Sequence, residues 1–284
     1  MELKVGADYR VTARPVHYDE PAAECERYEH SPLRGPRCEH KGGNVTLAKA
    51  IMCGLLVLAM PACLDSGSQS DIEFKDARIK FEINATDHDG GIQLFLDADT
   101  WVEFTVVDPN GEEILSTATN GAIAAQGGTE LFVESAEPTF DELSVEALLE
   151  RFPAGEYLIE GKGLNGERLT GSASLTHNLP DGPVLLGPLE DDGPQDPGAT
   201  VLTWRPVGAA NGSPIIAYQV IVAHADTGIA ALPTITLDVM MPPDATSLAV
   251  PSGFLQPGTE YEWEVLAIEA GGNQTLSSAT FVTG

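Results

Sequence analysis

The chain has 284 residues, with 15 lysines and arginines against 43 aspartates and glutamates, which gives a formal net charge of −28 at pH 7. Residues 1–62 carry eight basic and eight acidic side chains, whereas residues 63–284 carry seven and thirty-five. A surface this acidic repels nucleic-acid phosphates and anionic lipid heads. We therefore expect no nucleic-acid partner, and membrane contact only through a lipid anchor.

The N-terminal part contains an apolar run, residues 50–62, that follows Lys49 and ends at Cys63. As a helix its thirteen residues would be about 20 Å long, which is too short for the roughly 30 Å hydrocarbon core of a bilayer. A basic residue, a short apolar stretch and a small residue at the end are typical of a signal peptide. We predict a signal peptide at residues 45–62.

Cys63 stands directly after the small residue Ala62, and this arrangement resembles the signal of bacterial lipoproteins. The resemblance implies lipidation of Cys63, a tether over residues 63–70 and, because Leu64 is not acidic, an outer-membrane location. Two alternatives remain for this segment. Cleavage after Ser68 would give a free periplasmic or extracellular protein, and the apolar run could instead be a helix of a hydrophobic core.

Residues 1–44 show no periodicity, and they scatter cysteines, histidines and prolines among polar residues. We interpret them as a misassigned or disordered N-terminal extension, with translation starting at Val45. Cys25 and Cys38 lie in this extension and Cys53 in the signal peptide, so only Cys63 remains in the mature chain. With no second cysteine, we expect no disulfide framework.

The first part of the mature chain has the two-residue period of β-strands. Apolar residues at 79, 81 and 83 alternate with charged residues, and Ile92, Leu94 and Leu96 fall on one face of a second segment. The strand predicted at residues 101–107 is followed by "DPNG", a turn sequence. The apolar spacing after Ser144 predicts one helix at about 144–152.

A strand, a turn and a second strand follow at residues 154–175. The region 71–178 loosely resembles bacterial immunoglobulin-like sandwiches. The resemblance implies a β-sandwich with one inserted helix.

The last third of the chain has a sharper pattern. Residues 179–198 are rich in Pro, Gly and acids and predict a linker plus an edge strand. Strands are predicted within 199–207, 213–224 and 247–284, and the intervening segment 225–246 gives a weaker strand signal.

Residues 181–284 resemble a fibronectin type III domain. The resemblance places Trp204 in the core of strand B and Tyr218 on strand C. Leu255, Pro257 and Tyr261 match the family's Leu-x-Pro-x-Thr-x-Tyr signature, which implies that the Tyr261 hydroxyl bonds back to the backbone. The predicted fold class is all-β, with two tandem β-sandwich modules.

The sequence carries no recognised catalytic motif, and we predict no enzyme activity and no catalytic residues. His88, His177 and His224 each stand alone in the mature sequence. No cofactor is expected, with calcium as the one candidate: Asn84, Asp87 and Asp89 offer oxygen ligands before a Gly turn. The alternative reading is a hairpin turn with solvated acids, because an EF-hand loop would need an acid where Leu96 stands.

These observations favour a non-catalytic, exported, lipid-anchored envelope protein that acts as a binding module or a structural spacer. Its partner would be an unidentified protein or glycan. A carbohydrate-binding accessory protein is the first alternative, with Trp101 or Phe95 lining the binding surface, although a core position is favoured for both. A secreted hydrolase is the second alternative.

Overall fold

The computed structural model describes residues 71–284. The predicted extension (1–44), signal peptide (45–62) and tether (63–70), together with Cys63, lie outside the described residues. Among residues 71–284, no helix has the length and apolar character needed to span a bilayer.

The first module is a two-sheet sandwich with two short helices. The elements are β1 (Ile72–Glu73), β2 (Asp76–Asn84), β3 (Asp89–Trp101), β4 (Glu103–Val107), β5 (Glu113–Ala118), α1 (Gly121–Gln126), β6 (Gly128–Glu134), α2 (Val145–Arg151), β7 (Gly155–Lys162) and β8 (Arg168–Leu175). One sheet has the order β1-β8-β7-β4-β5, and it faces a second sheet with the order β2-β3-β6. Apolar side chains from both sheets and Leu148 of α2 form one core.

The second module is also a two-sheet sandwich. The elements are β9 (Val184–Gly187), a 3-10 turn (Glu190–Asp192), β10 (Val201–Arg205), β11 (Ile215–Ile229), β12 (Leu232–Met241), β13 (Ser247–Ala249), β14 (Glu260–Glu269) and β15 (Gln274–Val282). The smaller sheet has the order β13-β10-β9 and the larger one has the order β12-β11-β14-β15. A separate core fills the space between these sheets. The predicted all-β fold with two sandwich modules is confirmed.

The two modules share one sheet. Strand β15 of the second module pairs in parallel with β2 of the first, with Gln274 opposite Glu82 and Leu276 opposite Asn84. The result is a continuous seven-stranded sheet with the order β12-β11-β14-β15-β2-β3-β6. The modules are therefore joined by backbone pairing as well as by the covalent linker that the sequence predicts.

Two segments differ from their predicted strands. The strand expected over residues 101–107 is interrupted at Val102, where the chain leaves β3 and enters β4 in the opposite sheet. Trp101 and Phe104 are both buried although they are three residues apart. The two-residue alternation of buried and exposed side chains is therefore interrupted at this point. The weak segment 225–246 contains β12, a strand of ten residues at the sheet edge. Half-buried and exposed residues alternate over residues 237–241, where Leu237 and Met241 pack against the core. Leu232 and Ile235, nearer the start of the strand, are exposed.

The helix predicted at about 144–152 is present as α2. The Ser144 hydroxyl accepts a hydrogen bond from the Ala147 N–H at 3.3 Å, as an N-cap does. Its buried residue, Leu148, packs into the core of the first module.

Candidate functional site at the seam between the modules

We call the junction of β2 and β15, with the β14–β15 turn (269–273), the seam. Its central residue is Asn273, which is fully buried. Its Oδ1 accepts a hydrogen bond from the Phe81 N–H at 2.9 Å. Its Nδ2 donates to the Thr176 carbonyl at 3.0 Å and to the Asn178 carbonyl at 3.2 Å. One side-chain amide of the second module thus binds two backbone segments of the first.

A second buried polar group, Glu269, fixes the turn that carries Asn273. The Glu269 carboxylate accepts hydrogen bonds from the backbone N–H groups of Gly271 at 2.8 Å and Asn273 at 3.0 Å. It also accepts one from the Ser213 hydroxyl at 2.5 Å. These donors offset the cost of burying the carboxylate.

The linker between the modules is held by hydrogen bonds at its start. The Thr275 hydroxyl donates to the Pro180 carbonyl at 2.7 Å. At the other end of the paired segment, the Ser278 N–H donates to the Thr86 hydroxyl at 2.9 Å. Residues on both sides of the seam therefore contribute to one polar network.

Acidic side chains lie on the face of the shared sheet that points away from the two cores. Glu82, Glu134 and Glu137 each place a carboxylate oxygen within 4.8 Å of the others, and we call them the acidic triad. Burial raises the pKa of Glu82, while Gln274, which donates a hydrogen bond to it, acts in the opposite direction. Gln93 donates to Glu134 at 2.9 Å. Three carboxylates are a ligand type suited to Ca²⁺, but two of these three already accept hydrogen bonds from amides.

Glu264, on β14, lies on the same face and is also buried. Its Oε2 atom has no hydrogen-bond partner among the described residues. Burial first, and then the negative charges of Glu262 and Glu82, raise the pKa of Glu264 to about 8. The side chain is therefore mostly uncharged at neutral pH.

Beside the seam is an open cleft of about 620 Å³ between the two modules. It forms because β15 reaches β2 only at residues 82–84, so the earlier part of β2 has no strand on that side within the described chain. Arg78, Lys80, Phe95 and Phe132 line the cleft from the first module. The second module contributes side chains that include Gln219, Asp238 and Met240.

The polar groups of the cleft have defined positions. The guanidinium carbon of Arg78 lies 4.5 Å from the centre of the Phe95 ring, and its Nε is 3.0 Å from a carboxylate oxygen of Asp76. Lys80 Nζ donates to Gln274 Oε1 at 2.8 Å. The cleft thus combines cations, amides and aromatic rings.

The calcium candidates occupy the hairpin between β2 and β3. Asn84 Oδ1 accepts hydrogen bonds from the backbone N–H groups of Thr86 at 2.9 Å and Asp87 at 3.0 Å, which closes an Asx-type turn. Asn84 Nδ2 donates to Asp87 Oδ2 at 2.9 Å, and Asp89 is buried at the start of β3. The oxygen of Asn84 is thus already used by the turn, and calcium binding by these three residues stays a prediction.

Of the two aromatic residues considered for ligand binding, only one is accessible. Trp101 is buried and packs edge-on against Phe104, with ring centres 4.9 Å apart. Phe95 is half-buried and lines the cleft.

The residues singled out in the second module lie in or beside its core. The Tyr261 hydroxyl accepts a hydrogen bond from the Gln256 N–H at 2.9 Å, the geometry of a tyrosine corner. The Tyr218 hydroxyl accepts one from the Val207 N–H at 2.6 Å.

Two further residues of this set are buried and one shapes the corner. Trp204 is buried with its ring centre 5.8 Å from that of Tyr218, and Leu255 is buried nearby in the same core. The Pro257 carbonyl accepts a hydrogen bond from the Thr259 hydroxyl at 3.3 Å.

Sequence reasoning did not single out Asn273, Glu269 or Glu264. Glu260, Glu262 and Glu264 alternate identically along β14, yet only Glu264 is buried. A local pattern identifies the face of a strand, but it does not show which part of that face another module will cover.

Comparison with known proteins supports the assignment of the second module. Residues 194–283 match the family model described as "Fibronectin type III domain". A search of curated proteins found no match.

Several solved structures resemble the chain at low scores. The fibronectin(III)-like modules of Clostridium thermocellum CbhA are 11% identical, with a TM-score of 0.30, over 74% of this chain and 92% of that one. A tetra-tandem repeat from the extending region of a large adhesion protein is 15% identical, with a TM-score of 0.26, over 74% of this chain and 50% of that one. A 1.5-MDa bacterial ice-binding adhesin is 13% identical, with a TM-score of 0.25, over 75% and 66%. These scores are too low to transfer a function.

Proposed function

We propose that this protein is a non-catalytic, exported and lipid-anchored module of the cell envelope that acts as a rigid structural or binding unit. The observation that supports a rigid unit is the seven-stranded sheet that both modules share, whereas export and the anchor rest on the predicted signal peptide and Cys63. Tandem domains joined only by a linker move relative to one another by default. Here, backbone pairing and the buried Asn273 amide oppose such motion.

The distribution of the histidines also supports a non-catalytic role. His177 Nε2 lies 2.9 Å from the Phe152 carbonyl, and His224 packs against the Tyr261 ring at 5.6 Å. His88 occupies a turn with φ 56°. Each histidine thus belongs to a different local structure.

Rigidity can be tested by measuring distances between the modules. In the full chain, spin labels would be placed at exposed positions in each module, Glu112 and Asp244, with the native cysteines replaced. We expect a single narrow distance distribution in pulsed electron paramagnetic resonance. A broad distribution, like that of domains on a flexible linker, would refute the rigid unit.

The lipid anchor has its own test. Cys63→Ser should move the protein from the membrane fraction to the soluble fraction and abolish incorporation of labelled fatty acid. Fractionation that the substitution leaves unchanged would refute the anchor, and a parent chain already in the soluble fraction would favour the free secreted form.

A carbohydrate-binding role is the second candidate, and the cleft favours it. Phe95 is accessible there beside Arg78, whereas Trp101 is in the core and cannot touch a ligand without unfolding of the first module.

A further inference from the structure

The first half of strand β2 has an open side. Strand β3 pairs with β2 over residues 76–84, whereas β15 pairs with its other side only at residues 82–84. The Asn273 side chain takes the Phe81 N–H on that other side. Within residues 71–284, no strand lies there beside residues 76–80, and we call this segment the open edge. Its five residues are about 17 Å long at roughly 3.4 Å per residue.

The backbone groups of Ala77 and Ile79 point toward the open side. In an antiparallel pair, successive residues of a strand direct their N–H and C=O groups alternately toward the partner strand and away from it. The Phe81 N–H points away from β3, toward Asn273, and the pairing of β2 with β3 has no register shift. Because residues 77, 79 and 81 share one direction, the ladder with β3 leaves the N–H and C=O groups of Ala77 and Ile79 for another partner.

These backbone groups face the cleft. Ala77 and Ile79 both line it. The Ile79 side chain is only 3% exposed, in the core of the first module, and the Ala77 side chain packs against the same core. The two residues therefore present their main chain to the cleft. A row of such donors and acceptors at the side of a strand is a template for pairing with another extended chain.

The charged side chains that line the cleft already have partners. Arg78 pairs with Asp76 at 3.0 Å, and Lys80 donates to Gln274 at 2.8 Å. The carboxylate of Asp238 accepts hydrogen bonds from a glutamine amide of β11 at 2.9 and 3.0 Å. A ligand in the cleft therefore needs no charge of its own, and an acidic ligand would meet the repulsion of a surface with thirty-four acidic and seven basic side chains.

The second module gives the cleft an apolar wall. Ile216 and Met240 line the cleft and are 50% and 59% exposed. Phe95 and Phe132, both half-buried, line it from the first module. Apolar side chains of a ligand would remove these groups from water. A volume of about 620 Å³ has room for one short segment and not for the sandwich of a second copy of the chain.

We propose that the cleft binds a short, uncharged, extended peptide segment of a partner protein, which adds a strand to the open edge of β2. Its backbone would pair with Ala77 and Ile79, and alternate side chains would contact Ile216 and Met240. In this mode of recognition, main-chain hydrogen bonds give affinity and contacts of alternate side chains give specificity. A sugar chain lacks donors and acceptors that alternate at the spacing of a strand. The inference rests on the binding role within the proposed function and names the class of partner.

The test is titration calorimetry of the full-length chain with three probes. They are a capped hexapeptide of alternating threonine and valine, the same peptide with every backbone nitrogen methylated, and a neutral oligoglucoside. We expect only the unmodified peptide to bind. Full methylation should weaken binding at least tenfold, because it removes the backbone donors and keeps the side chains. Of the two forms methylated on alternate residues, at least one should keep its affinity, since only one side of the added strand pairs with β2.

Amide hydrogen exchange, followed residue by residue by NMR, locates the bound peptide on the chain. The unmodified peptide should slow the exchange of the Ala77 and Ile79 amides. Ala77→Pro should weaken binding at least tenfold, because proline has no N–H, and proline is tolerated where a strand makes no ladder bond. Glu130→Pro is the matched control. The Glu130 N–H also points away from its ladder, at the outer edge of β6, and Glu130 does not line the cleft.

Several outcomes would overturn the inference. They are no binding of the hexapeptide, equal binding of its fully methylated form, exchange protection outside the open edge, or equal losses in the two proline variants. Binding of the oligoglucoside alone would also overturn it and favour the carbohydrate-binding candidate. If melting shows that Ala77→Pro does not fold, the methylated peptides and the exchange of the parent chain decide. The rigid-unit proposal is tested separately by the distance distribution, so a cleft that binds no peptide leaves it intact.

Discussion

The hydrophobic cores and the seam hold this protein together by different means. In each core, alternating apolar side chains from two facing sheets are removed from water, and the stabilisation is distributed over many residues. The seam has a short parallel ladder and a few buried polar groups, chiefly Asn273 and Glu269, and the buried Glu264 of β14 lies on the same sheet. Loss of one apolar contact in a core is partly absorbed by neighbours. Loss of one polar partner in the seam leaves buried donors or acceptors unpaired, and this costs more per atom.

Of the substitutions that test this difference between the cores and the seam, Asn273→Ala should lower the free energy of unfolding most. It removes the partners of the Phe81 N–H and of two carbonyls, all in buried or half-buried surroundings. We expect a loss of roughly 3–5 kcal/mol. Scanning calorimetry should show one transition for the two modules in the parent chain and two in the variant.

The matched control is Asn165→Ala, which removes an exposed asparagine from a hairpin within the first module. It should lower stability by less than about 1 kcal/mol without separating the transitions. Equal effects in the two variants would contradict the special role of the seam.

Glu264 should make the free energy of unfolding of the parent chain depend on pH, and Glu264→Gln should remove this dependence. The folded-state pKa of Glu264, about 8, lies above the ordinary value of 4.5. The contribution of this group to the free energy of unfolding is therefore fully present below pH 4.5. It is lost as the pH rises to about 8. Above that pH the variant should be more stable than the parent by roughly 2–3 kcal/mol.

Urea unfolding at about pH 5 and about pH 9 would measure this difference. Glu260→Gln, an exposed position on the same strand, serves as the control and should leave the pH dependence unchanged. A parent chain whose stability is flat between these two pH values would count against a buried, uncharged Glu264.

Hydroxyl groups at the edges of the cores should give smaller effects. Tyr261→Phe and Tyr218→Phe each leave a backbone N–H without its acceptor. Each should cost about 1 kcal/mol in chemical unfolding. Tyr157→Phe removes a donor to the Pro153 carbonyl and should cost less, because a carbonyl oxygen has a second lone pair for other donors. A loss at Tyr157 larger than at the other two would contradict this order.

Calcium should give the smallest effect. If Asn84, Asp87 and Asp89 bound Ca²⁺ like a weak extracellular site, millimolar ion would add only about 1 kcal/mol. Because Asn84 already closes the turn, we expect equal melting shifts with Ca²⁺ and Mg²⁺ at matched ionic strength. A larger shift with Ca²⁺ that Asp87→Asn removes would instead establish the site. A Ca²⁺-specific shift lost in Glu137→Gln would assign the ion to the acidic triad.

The sequence by itself determined the two sandwich modules, the capped helix α2 and the apolar core positions. Their signals are local: two-residue alternation at residues 79–83, helical spacing after Ser144, and the Leu-x-Pro-x-Thr-x-Tyr signature that ends at Tyr261. Only the tertiary structure decided the shared sheet, the cleft and which acids are buried. The pairing of β2 with β15 joins residues about 190 positions apart, and no local period specifies such a partner. In the sequence, Glu264 and Asn273 look like ordinary surface residues of a strand and a turn. The packing of the two modules sets the burial of both residues and the hydrogen bonds of Asn273.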